Sequence, residues 1–377
     1  TLQQARVDAT ALNRMECDLT VLWDPAMHGP LSTPDLAGVD PRARAAVVIG
    51  DSHWAVAWDP KREPADLVNE AATLAQLCGS PAASACSMAV TSTQPRVLVG
   101  NVPKPHAGPA VRPPAVAGQF YPGDPQQLDR ALAEMIPADR QPEPWAAALV
   151  PHAGWPYSGK LAAATLSRVC IPSRAIVISP KHRPLGVQWA VAPHRLWALP
   201  GRNVESDPEL AARLAERITD LAADADAHRS EHAIEVQLPI LARLAPQTKV
   251  VGIAMHGGDY ARLQRFAEEL AGVLRELPER PLLVVSTDMN HYADDAHTRS
   301  IDRQALDALE ALDPERLYRT VAEQRISMCG AIPAVVVLET LRRLGNLSRC
   351  EPVGYATSAE VSGDASRVVG YAGMLFG

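Results

Sequence analysis

Three histidines and one cysteine stand where chemistry is most readily built. His152 follows the apolar run 146–150 across Pro151, His182 follows the run 175–180 across Lys181, and the run 282–287 leads through Asp288 to His291. Each run is short, apolar and bounded by breakers, which is how a strand buried on both faces is written. Ligands of open α/β sheets collect just outside the carboxyl ends of strands. Three strands ending on metal-capable side chains therefore predict one polar site on one edge of a sheet. Cys329, with Gly330 behind it, stands at the head of a helix predicted over 332–344. The helix dipole and free N–H groups there favour a thiolate, so Cys329 is expected to ionise more easily than a free cysteine.

Two imidazoles and a thiolate, from His152, His182 and Cys329, make a three-ligand set with an open face, the ligand count of catalytic metal sites. It is the two-histidine, one-carboxylate arrangement of non-haem iron with sulfur in place of the carboxylate. The exchange keeps one negative charge and softens the site toward copper or zinc. Taken singly, each histidine also reads as a hydrogen-bonded structural imidazole, and Cys329 as a small buried hydrophobe.

His232 and Glu235 fall three apart on a helix predicted to begin at Ser230, within reach of each other. With Glu231 or Glu235 orienting it, His232 is a candidate general acid or base; a capping histidine at a helix start is the other reading. Pro239 should kink that helix unless it starts late. Asp288 and His291 flank a tight turn and are candidates for a further proton carrier or for a carboxylate that fixes a ligand tautomer. His194, His228, His256 and His297 lie in polar or glycine-rich loops. No Walker or G-x-G-x-x-G pattern occurs, and Ser158 and Ser179 are not nucleophile elbows, which argues against nucleotide binding and serine hydrolysis.

The elements that must position these residues follow from a 377-residue chain that is 47% hydrophobic, long for one core and comfortable for two. Residues 1–100 form a small α+β module: a strand at 19–23, a hairpin of 45–49 and 53–58 turning at 50–52, and a helix over 65–78. Trp54, Val56 and Trp58 share one face of the hairpin by period two. The stretch 101–114 is rich in proline and glycine and reads as a semi-rigid linker. In the domain 112–377, Asp124 and Pro125 open a helix. A helix at 161–169 joins the His152 and His182 strands as a right-handed β-α-β unit with a parallel neighbour. Ser206 to Glu209 is a capping box. A strand at 249–255, helices at 260–274, 298–312 and 314–325, and strands at 352–358 and 367–376 complete the alternation. The fold class is α/β, a mixed central sheet sandwiched by helices, preceded by the smaller α+β domain.

A formal net charge of −7 leaves no electrostatic footprint for nucleic acid or anionic lipid. No run of eighteen apolar residues is present to span a membrane, and residues 1–6 lack the apolar core of a secretion signal. The six cysteines have no CxxC spacing, which fits reduced thiols in a cytoplasmic protein.

Residues 112–376 resemble the Memo family, also called AmmeMemoRadiSam system protein B. The likeness is carried by Arg112, Ala115 to Gly118 and Phe120 to Pro122, by Pro151 to Trp155, by Ser179 to His182, by Glu231 to Pro239, by Ser286 to Asp288 with His291, and by Cys329-Gly330. That family is similar in fold to class III extradiol ring-cleavage dioxygenases, whose iron is held by two His and a Glu. The resemblance implies His152 and His182 as the two histidine ligands, Cys329 in the third position and His232 as the catalytic base. It implies iron(II) or copper, with zinc less favoured, and a redox reaction of dioxygenase or oxidase type on a small organic substrate. Lys181, Arg183 or the start of the helix at 332 would hold an anionic group, and Phe120 and Tyr157 would line the pocket. Two departures stand out. Lys181-His182-Arg183 replaces the Ser-His-His common in relatives and adds positive charge, and Ser230 replaces a common acidic residue, which weakens the case for a carboxylate orienting His232. The first module bears a fainter likeness to system protein A, which implies that protein and a radical SAM enzyme as partners. A peptide- or small-anion-binding module that keeps the pocket, and a zinc-dependent hydrolase, are the alternatives.

Overall fold

The computed structural model describes residues 18–50, 53–78, 80 and 83–377. It divides into two compact units, Thr1–Pro103 and Lys104–Gly377. Asp51 and Ser52, in the expected hairpin turn, and Cys17 lie outside the described residues.

In the first unit, strands β1 (Thr20–Pro30), β2 (Arg44–Ile49), β3 (Trp54–Trp58), β4 (Ser84–Ser92) and β5 (Val97–Asn101) form an antiparallel sheet in the order β1-β4-β2-β3-β5. Helix α1 (Pro64–Leu74) lays Leu67, Val68 and Ala71 on Ala46, Val48, Ala55 and Ala57. It stops short of the expected Cys78 because Gln76 takes a φ of 57°, which no right-handed helix continues. β1 runs past the expected end at Trp23 through Asp24 and Pro25, with a register shift between Trp23 and Pro25. Its place at the sheet edge is what admits proline.

The second unit contains β6 (Val111–Arg112), β7 (Ala147–Val150), β8 (Arg174–Pro180), β9 (Trp189–Val191), β10 (Leu196–Leu199), β11 (Arg202–Glu205), β12 (Leu221–Ala223), β13 (Lys249–Met255), β14 (Leu282–Ser286), β15 (His291–Ala293), β16 (Cys350–Thr357) and β17 (Val368–Phe376). Nine of these make the main sheet in the order β12-β9-β13-β8-β14-β7-β17-β15, with β16 paired to β17. The centre, β13-β8-β14-β7, is parallel, whereas β9 and β17 join it antiparallel. The sheet is mixed, as expected. β6, β10 and β11 form a separate small sheet.

The eight principal helices of this unit are α2 (Pro125–Met135), α3 (Trp155–Leu166), α4 (Pro208–Arg217), α5 (Leu238–Leu244), α6 (Tyr260–Arg275), α7 (Asp295–Glu310), α8 (Pro314–Glu323) and α9 (Ala331–Leu344). Strand alternation sends Ile176, Ile178, Leu283 and Val285 into one core with Phe266, Leu270, Val335 and Leu338 of α6 and α9. Val177, Val284, Ala148 and Val150 face the other way, onto Leu128, Trp155 and Ala163 of α2 and α3. Both faces are covered, which is why these strands are apolar without interruption. No helix among the described residues is long and apolar enough to cross a membrane.

Several local expectations change. β14 lies between β7 and β8, so the β-α-β pair is parallel but not adjacent: a later strand is inserted. The Pro-rich stretch does not hang free beyond Pro103. The His106 N–H donates to Asp224, the Ala225 N–H donates to the His106 carbonyl, and β6 pairs with β10. Asp207, not Ser206, caps α4 by accepting from the Leu210 N–H. No helix starts at Ser230. A 3₁₀ turn over Glu235–Gln237 precedes α5, which places Pro239 in the first helical turn, where a missing N–H is harmless.

Candidate metal centre

The carboxyl ends of β8, β14 and β7 lie side by side, and the chemistry collects there. His152 is two residues beyond β7, His182 two beyond β8, and Cys329 two before α9. The His152 and His182 ring centroids are 5.1 Å apart. One ligating atom from each of His152, His182 and Cys329 lies within 4.8 Å of the others. Three residues spread over nearly 180 positions thus meet as the sequence predicts. Gly330 lets them: a Cβ there would lie 2.3 Å from the Thr287 Cβ and 2.9 Å from the Ser286 carbonyl.

Hydrogen bonds fix the tautomers. The Ser286 hydroxyl donates its single hydrogen to the Ala233 carbonyl at 2.6 Å, so it must accept from His152 Nδ1 at 3.0 Å and from the Gln237 amide at 3.2 Å. His152 therefore carries its hydrogen on Nδ1, and its Nε2 lone pair lies 3.3 Å from Cys329 Sγ. Glu231 does the same for His182: one oxygen accepts from Nδ1 at 2.9 Å and the other from the backbone N–H at 2.6 Å. That carboxylate also takes the N–H groups of His232 and Ala233 and lies 3.3 Å from His232 Nδ1. His182, Glu231 and His232 form a second close trio. Its acceptors are already occupied by N–H donors, which makes it an orienting group.

Burial and the neighbouring His182 hold His152 down to about 3. Burial and His152 bring His232 down to about 4. Both rings are neutral near pH 7, the form that ligates metals or accepts a proton. For Glu231, burial opposes ionisation, but the hydrogen bond from His182 and the nearby histidines prevail and bring it to about 2. Cys329 moves against expectation. Burial and the adjacent Asp288 push its thiol well up, although the Asp288 N–H donates to the sulfur at 3.3 Å. Gly330 is the helix cap, so the sulfur sits outside the first turn and desolvation dominates. His152 and His182, each with its hydrogen held on Nδ1, and a half-buried thiol fit a metal ion, whose charge deprotonates a coordinating thiol.

Asp288 ties the strand ends together: its Oδ1 accepts the N–H groups of His152 and Ala153, and burial raises its carboxyl. A cleft of about 550 Å³ opens above, lined by Phe120, Tyr157, His232, Asp288 and His291 together with His152 and His182. His291 donates from Nδ1 to the Ser327 carbonyl. Phe120 packs on His232 with ring centroids 4.6 Å apart.

Three expected site residues are elsewhere. Glu235 is fully buried and binds Arg112, the N–H groups of Ala115 and Val116, and the Tyr121 hydroxyl, because the 3₁₀ turn directs it away from His232. Lys181 is buried and donates to the Leu185 and Gly186 carbonyls. Arg183 is exposed outside the cleft lining. The Ser230 departure matters little, since Glu231 serves both His182 and His232. Ser286 and Gln237, which set the His152 tautomer, were not singled out as site residues. The signal for Ser286 was its place as the last residue of a site strand.

Glu231→Gln is expected to weaken metal affinity 10–100-fold, the range for partners that orient a ligating histidine. The amide presents N–H where four N–H donors already point. Chelator competition measures the change, and affinity equal to the parent chain would remove Glu231 from its orienting role.

The profile of the family described as Memo-like protein matches residues 112–375. The MEMO1 family protein of Aquifex aeolicus (strain VF5) is 38% identical over 271 residues, covering 71% of this chain and 99% of the relative. The MEMO1 family protein of Archaeoglobus fulgidus is 35% identical over 267 residues, with 71% and 99% covered. That of Methanopyrus kandleri is 34% identical over 279 residues, with 70% and 98% covered. The profile match begins at Arg112, so the first unit lies outside it.

Proposed function

This chain belongs to the Memo-like protein family, and from that premise we propose that it is a metal-dependent redox enzyme. A single iron(II) or copper ion would be held by His152, His182 and Cys329, and the substrate is a small organic molecule. The observation that carries the reading is the pair of fixed rings: Ser286 and Glu231 each accept the hydrogen on Nδ1 of a histidine, and one ligating atom from each of His152, His182 and Cys329 lies within 4.8 Å of the others. Sulfur makes this donor set softer than a carboxylate set, which favours copper within the proposal.

When bound, such an ion supplies one-electron chemistry and polarises an oxygen ligand. The protein supplies the rest. His232, neutral and on the cleft wall, accepts a proton from a substrate hydroxyl, and Glu231 at 3.3 Å steadies the charged ring. Phe120 restrains His232 from one side. Asp288 keeps the ends of β7 and β14 in register with Cys329. The free thiols of Cys78, Cys86, Cys170, Cys329 and Cys350 support a reducing, cytoplasmic setting.

Metal analysis of anaerobically purified protein, followed by oxygen uptake with a panel of catecholic and other electron-rich substrates, tests the proposal. Stoichiometric iron or copper and turnover are expected. His232→Gln should retain the metal and lose roughly 10²–10⁴-fold in rate, the usual worth of a positioned base. Silence across the panel with metal loaded contradicts it. Zinc with ester or amide turnover would identify a hydrolase instead, and undiminished ligand affinity in metal-free protein a binding module.

A further inference from the structure

The cleft lining carries further features that the metal chemistry does not use. Arg367, Val369 and Tyr371 all belong to it. Val369 and Tyr371 are two apart in β17 and so share a face, and Arg367 stands just before the strand begins at Val368. Val369 pairs with His291 of β15, which keeps this face beside the site.

Arg367 is the one arginine or lysine in the cleft lining. Among the described residues no carboxylate comes within ion-pair distance of it. Asp364, also on the rim, accepts instead from the N–H and hydroxyl of Ser366. The guanidinium lies 4.6 Å from the ring centre of Tyr292, a cation–π platform. Tyr292 itself has a φ of 67°, a conformation that strains a non-glycine residue, and it is 65% exposed.

Tyr371 is only 2% exposed, yet its hydroxyl has no hydrogen-bond partner among the described residues. A buried phenol ordinarily has one. The Tyr371 oxygen still reaches solvent, so an acceptor in the cleft that Tyr371 lines can meet it.

We infer that the substrate is an elongated organic anion lying along β17, with an anionic carboxylate at Arg367 and a hydrogen-bond acceptor at the Tyr371 hydroxyl. The inference rests on the cleft being the substrate site of the proposed enzyme. Three residues lie between Arg367 and Tyr371, about 13 Å between Cα atoms in extended chain. A dicarboxylate is the simplest anion with one group for each side chain. The positive charge expected at Lys181 and Arg183 is thereby supplied by Arg367.

Adipate and hexanoate serve as probes, titrated calorimetrically into the full chain in metal-free and iron(II)-loaded forms. Adipate is expected to bind at least tenfold tighter than hexanoate in both forms. Arg367→Gln should weaken both ligands at least tenfold, and Tyr371→Phe, which keeps the ring in place, should cut the adipate preference about fivefold. Thermal melting of both variants checks the fold. No measurable adipate binding, no preference over hexanoate, undiminished binding of both ligands in Arg367→Gln, or a preference unchanged in Tyr371→Phe overturns the inference. A preference that survives in a protein unable to hold iron or copper would sink the redox reading and leave this one standing. Metal binding without the preference does the reverse.

Discussion

A Cys329→Ala chain is expected to bind its metal on the order of a hundredfold more weakly, or worse, while folding almost as well as its parent. Partners that merely orient a ligating histidine are worth 10–100-fold, and Cys329 is proposed as a ligand itself. The sulfur lies 3.3 Å from His152 Nε2 and also receives the Asp288 N–H. Without it, the two imidazoles retain their tautomers, since Ser286 and Glu231 are untouched. Stability should fall by only about 1 kcal/mol, the scale for removing one buried heavy atom. Chelator competition and thermal denaturation on the same preparation separate the two effects. Unchanged affinity would demote the thiol to packing, and a large loss of stability would make any metal loss uninterpretable as ligation.

Glu235→Ala is expected to show the opposite profile, a loss of about 3–5 kcal/mol in stability from breaking one side of a buried ion pair. Its carboxylate holds Arg112 Nη1 at 2.6 Å, the N–H groups of Ala115 and Val116 at 2.8 and 3.0 Å, and the Tyr121 hydroxyl at 2.8 Å. Arg112 in turn donates to the carbonyls of His228 and Glu231 and lies over Trp197. This knot fastens residues 112–121 to the loop that carries Glu231 and His232. Removing the carboxylate leaves a buried guanidinium without its counter-charge and the Ala115 and Val116 N–H groups without an acceptor. Pairing Arg112→Met with Glu235→Leu should recover much of the loss, because an apolar pair of similar size is often neutral or better. Denaturant unfolding of the second unit measures both, and a single-variant loss below about 1 kcal/mol would contradict the knot.

The parallel centre of the sheet was legible because β7, β8 and β14 are apolar throughout, as strands covered on both faces must be. Their order was not legible. Periodicity gives no information on which strand inserts between which, and β14 enters between β7 and β8. The convergence of His152, His182 and Cys329 rested on strand ends together with the family likeness. Neither strand ends nor spacing could tell that burial would outweigh the helix at Cys329. Glu235 was assigned to His232 by helical spacing, which fails once a 3₁₀ turn replaces the helix, and its true partner Arg112 is 123 positions away. Lys181 and Arg183 were drawn in by adjacency to His182, but neighbours in an extended segment point to different sides. Arg367 and Tyr371 carry no motif. Only the pairing of β17 with β15 and β7 brings them to the cleft.

X-ray absorption at the metal edge, on full-length protein loaded anaerobically with zinc as a redox-silent reporter, tests the proposed ligand set most directly. One sulfur at about 2.3 Å and two imidazole nitrogens at about 2.0–2.1 Å are expected, with the sulfur lost in Cys329→Ala. A first shell of nitrogen and oxygen alone in the parent chain would contradict the three-ligand centre at His152, His182 and Cys329.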